Sequence, residues 1–203
     1  MKSLSEIDTV SKRSSRAAGY SWGIAEEIGK NIRLLEIFSL PGIKNLNDFL
    51  NKKKNIKLEN LNLINKDNNA NNSQYCPIIA GVNFLDQIKM LETFSEIKFK
   101  KIAYPMLFLP FVSRASEVVG KRILLRLDEK EFLMNFNNNI NSNFFKKEII
   151  KSAENVSIKI LDNEDSFNDN EWKELYKLSE ETFVEENESL KQSGAGAGLT
   201  DND

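Results

Sequence analysis

Two arginines one helical turn apart, a Ser-Trp-Gly turn and two adjacent glutamates fall within the stretch from Arg13 to Lys30. Gly19 ends one predicted helix and Ser21 caps the next, so the first N–H groups of the second helix, around Gly23, lack intrahelical partners. A guanidinium beside a helix N-terminus gives fixed positive character to a carboxylate or a phosphate. Arg13, Arg16, Ser21, Trp22 and Gly23 are therefore a candidate anion-binding site. The same residues also fit a tight helical hairpin, in which Gly19 and Gly23 allow close packing, Trp22 is core and the arginines are solvated.

Helical phase separates the two glutamates. With Ile24 at 0° and about 100° per residue, Ile28, Ile32, Leu35 and Phe38 fall within one apolar arc, and Glu27 and Asn31 fall inside it. Glu26, Lys30 and Arg33 point away, and Glu26–Lys30 is a surface pair of favoured polarity. An inward-facing Glu27 needs a partner or a cavity. It is the candidate general acid/base, with burial expected to raise its pKa. The alternative is a structural hydrogen bond that ties the helix to the sheet, to Arg114 or to Arg126.

Other chemistries are narrowed by composition. The chain has no histidine, which removes Ser-His-Asp and Cys-His catalysis, His-ligated metal sites and the usual proton shuttle near neutral pH. The single cysteine, Cys76, forms no intrachain disulfide; it could act as a nucleophile only if an Arg, a Lys or a helix N-terminus activated it, and otherwise reads as a small buried hydrophobe. Neither Gly29-Lys30 nor Gly120-Lys121 has the upstream glycine of a phosphate-binding loop. The ending Gly194-Ala-Gly196-Ala-Gly198 lacks the strand, helix and strand of a dinucleotide fold. With Asp201 and Asp203 it forms a candidate lid or docking tail, and its carboxylates could join others around a divalent cation. No cofactor and no metal are expected.

The elements that must position these residues are legible in period and caps. Ser3-x-x-Glu6 opens a helix that Gly19 ends, Ser21 opens a second that runs to about Ser39, and a third spans Ile43 to Lys53. Ile97 to Lys100 and Val156 to Ile160 alternate as half-buried strands do, while Ile123–Leu127 and Phe132–Phe136 read as neighbours joined by a short turn. Tyr104 to Val112 reads as a buried strand that Pro105 and Pro110 confine to an edge or a bulge. The asparagine clusters at 68–72 and 135–143 read as loops. Asn168-x-x-Glu171 caps a last helix, with Trp172, Leu175, Tyr176, Ser179 and Phe183 on one face.

The order of helices, then strands, then a helix predicts one α+β domain over residues 1–203. A helical part (1–54) and a C-terminal helix (168–190) would pack on a mainly antiparallel sheet within 77–162, with a Gly-rich acidic tail at 191–203. A chain of 203 residues buries enough surface to fold without disulfide or metal. The opening residues contain no apolar signal core, and the longest apolar run, Met106 to Val112, is far too short to span a bilayer. A soluble cytoplasmic protein is expected, with no membrane partner.

Charge is uneven. Residues 1–54 carry a net +4, residues 55–150 a net +3 and residues 151–203 a net −9. An acidic end on a basic body suggests contact within one chain or between copies in a homo-oligomer. It disfavours polyanions, and no basic stripe is interleaved with exposed aromatics, so nucleic acid is not an expected partner.

The stretch Arg16-Ala17-Ala18-Gly19-Tyr20-Ser21-Trp22-Gly23-Ile24-Ala25-Glu26-Glu27-Ile28-Gly29-Lys30, with Ser3-Leu4-Ser5-Glu6-Ile7 before it, Cys76-Pro77 at mid-chain and the Gly194–Asp203 ending, resembles a family of uncharacterised bacterial proteins of about 200 residues. Ser14-Ser15 and Glu185 depart from that pattern, where small apolar residues and a proline are expected. The resemblance implies no activity. It raises the tail from a frayed end, its default reading as a Gly-rich terminus, to an equal candidate for a lid or docking role. The leading functional expectation is a non-catalytic module for a small anion or a protein partner. A small enzyme acting on a carboxylate-bearing metabolite through Arg16 and Glu27, and a structural subunit of a complex, are the alternatives.

Overall fold

The computed structural model describes residues 2–70, 73–137, 139–144 and 147–182. The chain divides after Asn163 into two units.

In the first unit, α1 (Leu4–Ala17) starts at Ser3, whose side chain accepts the Glu6 N–H. It ends before Gly19, which at φ +95° occupies the left-handed region that favours glycine. Ser21 caps α2 (Trp22–Ile37), and α3 (Gly42–Lys52) follows Pro41. These boundaries match the sequence expectation within two residues, since caps and breakers act locally.

Three short strands come next, β1 (Leu58–Glu59), β2 (Asp67–Asn69) and β3 (Gln74–Tyr75), so the sheet begins before residue 77. Asn68 and Asn69 are thus strand, not loop. The Asn68 carboxamide donates to the Asn65 and Lys98 carbonyls, which anchors β2 beside β4. Helix α4 (Pro77–Leu91) leads to β4 (Glu96–Ala103).

The segment expected as a strand from Tyr104 to Val112 is helical. A 3₁₀ turn at Pro105–Leu107 precedes α5 (Leu109–Val119). Both prolines sit in first turns, where the missing N–H costs nothing and the fixed φ suits a helix. Strands β5 (Arg122–Leu127), β6 (Lys130–Met134), β7 (Ile140–Ser142) and β8 (Ser152–Leu161) complete the unit. Strand β7 includes Asn141, so this second asparagine cluster is not wholly loop either.

The protein is α+β with a mainly antiparallel mixed sheet. The order is β1-β3-β4-β8-β5-β6-β7, with β2 paired to β4 off that path. The run from β4 to β7 is antiparallel, and the β1, β2 and β3 pairings are parallel. Along the central strands Ile97, Phe99, Ile123, Leu125, Leu127, Phe132, Val156 and Ile158 are buried, while Lys98, Lys100 and Arg126 between them are exposed. One face therefore carries the core, and the other is mainly polar, with the half-buried Leu124–Leu133 pair among its charged residues.

Helices α4 and α5 pack against each other and against this inner face. Phe108 meets Phe84 and Phe99 at centroid distances of 5.8 and 5.5 Å. Gly81 lies so close to Phe111 that an added Cβ would sit 2.1 Å from its ring. Helix α2 touches α1, α3 and α5, and so links the N-terminal helices to the sheet layer.

The second unit contains α6 (Asp169–Glu180), held by the full capping box of Asn168 and Glu171. Phe167 and Trp172 stack at 5.5 Å. Trp172, Leu175 and Tyr176 are exposed.

Candidate functional site

The hairpin turn between α1 and α2 is built from the residues expected to hold an anion. Ser21 Oγ accepts the Ile24 N–H at 3.4 Å and so caps α2 with its own oxygen. Arg16 donates to the Tyr20 carbonyl at 2.9 Å, and its guanidinium lies 5.4 Å from the Trp22 ring centroid. Lys53 sits over the Tyr20 ring at 3.8 Å. These cations brace the turn through the chain's own carbonyl and aromatic faces. Trp22 is 61% exposed, so it is not core. Arg13 is exposed, one turn before Arg16.

Cys76 is buried at the start of α4, with Sγ 3.8 Å from the Tyr20 hydroxyl. Burial is the largest cause that pushes the Tyr20 phenol far above its ordinary range, followed by the neighbouring Cys76.

Glu27 points inward from α2, as its helical phase requires. Its Oε2 pairs with Arg114 Nη1 on α5, and its Oε1 lies 3.3 Å from Lys30 Nζ. Lys30 also reaches Glu26 at 3.3 Å. Burial alone would raise the Glu27 pKa, but the hydrogen bond and charge of Arg114, then those of Lys30, outweigh it and hold the carboxyl below its ordinary value. The expected upward shift is corrected: Glu27 is a carboxylate at neutral pH, engaged in an ion pair that joins two helices. The structural alternative read from sequence, a tie to Arg114, describes its contacts.

Beside this pair lies a groove of about 380 Å³ between α2 and α5, lined by Lys30, Asn31, Arg33, Leu34, Ile37, Phe38, Arg114 and Glu117. Its size falls within the range of roughly 300–1,000 Å³ found for small-molecule sites. Asn31, only 3% exposed, has neither carboxamide atom hydrogen-bonded. The Arg33 and Glu117 side chains have no ion-pair or hydrogen-bond partner among the described residues. A polar strip thus runs beside an apolar one of Leu34, Ile37 and Phe38.

The inward phase of Asn31 was legible in the sequence. The outward phase of Arg33 was legible too, but the groove it shares with Glu117 was not, because the strand expected over Tyr104–Val112 covers the start of α5 and leaves the helical face of Glu117 unassigned. Tyr104 was missed as well. Its backbone is left-handed at φ +43°, a strained conformation for a bulky residue. Its buried hydroxyl donates to Asp48 Oδ2 at 2.7 Å, while Asp48 Oδ1 meets Lys52 at 2.5 Å. Burial, then the Asp48 contact, pushes the Tyr104 pKa up to about 12.

Among the described residues, no group of three or more Cys, Asp or Glu side chains is arranged to hold a metal ion, and no helix is long and apolar enough to cross a membrane. The tail residues Gly194, Gly196, Gly198, Asp201 and Asp203 lie outside the described residues.

Residues 2–75 match the model of a family described as a protein of unknown function (DUF3726). The match covers a little over a third of the chain and supports the resemblance to an uncharacterised family. It includes α1 to β3, hence the whole hairpin turn and the α2 side of the groove, but not Arg114 or Glu117. No curated protein and no solved structure matches the chain.

Proposed function

We propose that this chain is a non-catalytic module that binds a small carboxylate-bearing molecule in the groove between α2 and α5. One observation carries the reading. Asn31 offers a buried, unpartnered carboxamide at a groove that also presents Lys30, Arg33 and Arg114. A buried amide without a hydrogen bond costs about 1–3 kcal/mol, and a polar ligand that enters the groove and draws the carboxamide towards it removes that cost. Guanidinium groups are suited to carboxylates because their planar donors match two acceptor oxygens. Glu27, beside the groove, is ionised and held in its pair with Arg114, so it serves to orient that guanidinium and not to deliver a proton.

The test is thermal unfolding of the full chain with acetate or propionate against chloride at matched ionic strength. At 100 times its dissociation constant a ligand adds roughly 2.7 kcal/mol of stability. For a chain near 200 residues this raises Tm on the order of 5–10 °C. Arg33→Gln should weaken the response, and Asn31→Leu should abolish it. The reading fails if no carboxylate shifts Tm at any concentration below that of general salt effects.

A further inference from the structure

We infer that the ligand of this groove is a zwitterionic α-amino acid with an apolar side chain. This rests on the carboxylate-binding reading above and names its ligand class. Three features of the lining point the same way.

The first is the state of Asn31. Both its amide donor, Nδ2, and its carbonyl acceptor, Oδ1, are buried and unpaired. A simple carboxylate only accepts, so it would satisfy Nδ2 and leave Oδ1 orphaned. An amino acid carries an acceptor and a donor on adjacent atoms, and it can satisfy both ends of one carboxamide.

The second is charge. Lys30 is shared between Glu26 and Glu27, and Arg114 is held by Glu27. The lining charges left without an ion pair are Arg33 on α2 and Glu117 on α5. They have opposite signs and come from opposite walls. Glu117 would repel a dicarboxylate or a phosphate dianion, whereas an ammonium group gains from it.

The third is the apolar strip. Leu34, Ile37 and Phe38 line the same groove, and Ile37 is 49% exposed despite its hydrocarbon surface. A branched or aromatic side chain covers that surface, with a gain of about fourfold in affinity for each methylene buried. The arrangement is thus a polar clamp for the ligand's main-chain groups beside an apolar wall for its side chain.

Calorimetric titration of the full-length protein compares three probes of one skeleton: L-leucine, 4-methylpentanoate, which lacks the ammonium, and isoamylamine, which lacks the carboxylate. Leucine is expected to bind at least tenfold tighter than either. Glu117→Gln should erase the preference for leucine over 4-methylpentanoate without weakening the latter. Ile37→Ser, a neutral change at an exposed position, should weaken leucine by a larger factor than it weakens glycine. Equal affinity for leucine and 4-methylpentanoate in the wild-type protein overturns the amino-acid inference and leaves carboxylate binding in place. Binding of leucine that is indifferent to Glu117→Gln and Ile37→Ser also overturns it. No binding by any carboxylate-bearing probe overturns both readings.

Discussion

Glu27 on α2 and Arg114 on α5, 87 residues apart in sequence, form an ion pair beside the α2–α5 groove that Arg114 lines. Both side chains are about 30% exposed (27% and 31%), so the pair is neither buried nor free in solvent. It fixes the guanidinium at one wall of the groove and joins the N-terminal helices to the layer that covers the sheet.

The energy of this contact is open to a double-mutant cycle. Glu27→Gln and Arg114→Gln, separately and together, should give a coupling energy of about 0.5–1 kcal/mol in urea denaturation. Additive losses would show that the two side chains do not interact in solution.

Asn31→Leu reverses the usual sign of a core substitution. It replaces an unpaired carboxamide by an apolar group of similar size, so unfolding should require about 1–3 kcal/mol more free energy. The same variant should lose carboxylate binding. A destabilised variant would mean that the carboxamide is satisfied in solution, and would remove the observation on which the binding proposal stands.

Gly81→Ala tests the contact between α4 and α5. Its methyl group would meet the Phe111 ring at 2.1 Å, with further ring atoms at 2.6 and 2.7 Å. A loss of about 1–3 kcal/mol is expected from the forced shift of an enclosed ring. Gly23→Ala, where nothing lies within 4 Å of the added methyl, is the matched control. Equal effects at both positions would contradict the packing.

Stability should fall at both ends of the pH scale. Glu27 and Glu96 have pKa values held below the ordinary carboxyl range. The unfolded state then binds more protons, so their contribution is present above the unfolded pKa and is lost as pH falls through the folded one. Tyr104 is raised from 10.0 to about 12, with Tyr20 and Tyr75 also raised. For these the folded state binds more protons, and stability declines as pH climbs from 10 towards 12. Urea midpoints measured across this range will show whether the alkaline decline begins near pH 10, and Tyr104→Phe should reduce it. An alkaline limb unchanged in that variant would remove Tyr104 as a source.

Much of the fold was legible because its signals are local. Ser3, Ser21 and Asn168 mark helix starts through side-chain contacts within three residues. The alternation of β4, β5 and β8 follows from a sheet with one buried face. The errors have physical causes as well. Pro105 and Pro110 signal a break in a strand or the opening of a helix, and an apolar run from Met106 to Val112 fits either until its surroundings are known. Asn68 looks like a turn residue, yet its side chain bonds the backbones of Asn65 and Lys98 and so secures a strand.

The sequence by itself determined the ends of α1, α2 and α3, the start of α6, the hairpin of β5 and β6, the inward phase of Glu27 and Asn31, and the exclusion of histidine chemistry. Each depends on residue type or on neighbours within a few positions, where covalent geometry fixes the outcome. Only the tertiary structure decided that α5 is a helix beside α2, that Arg114 is the partner of Glu27, and that Arg33 and Glu117 face one groove. Those relationships arise when packing closes long loops and brings distant faces together, a choice made by the shape and burial of the whole core and carried by no local pattern.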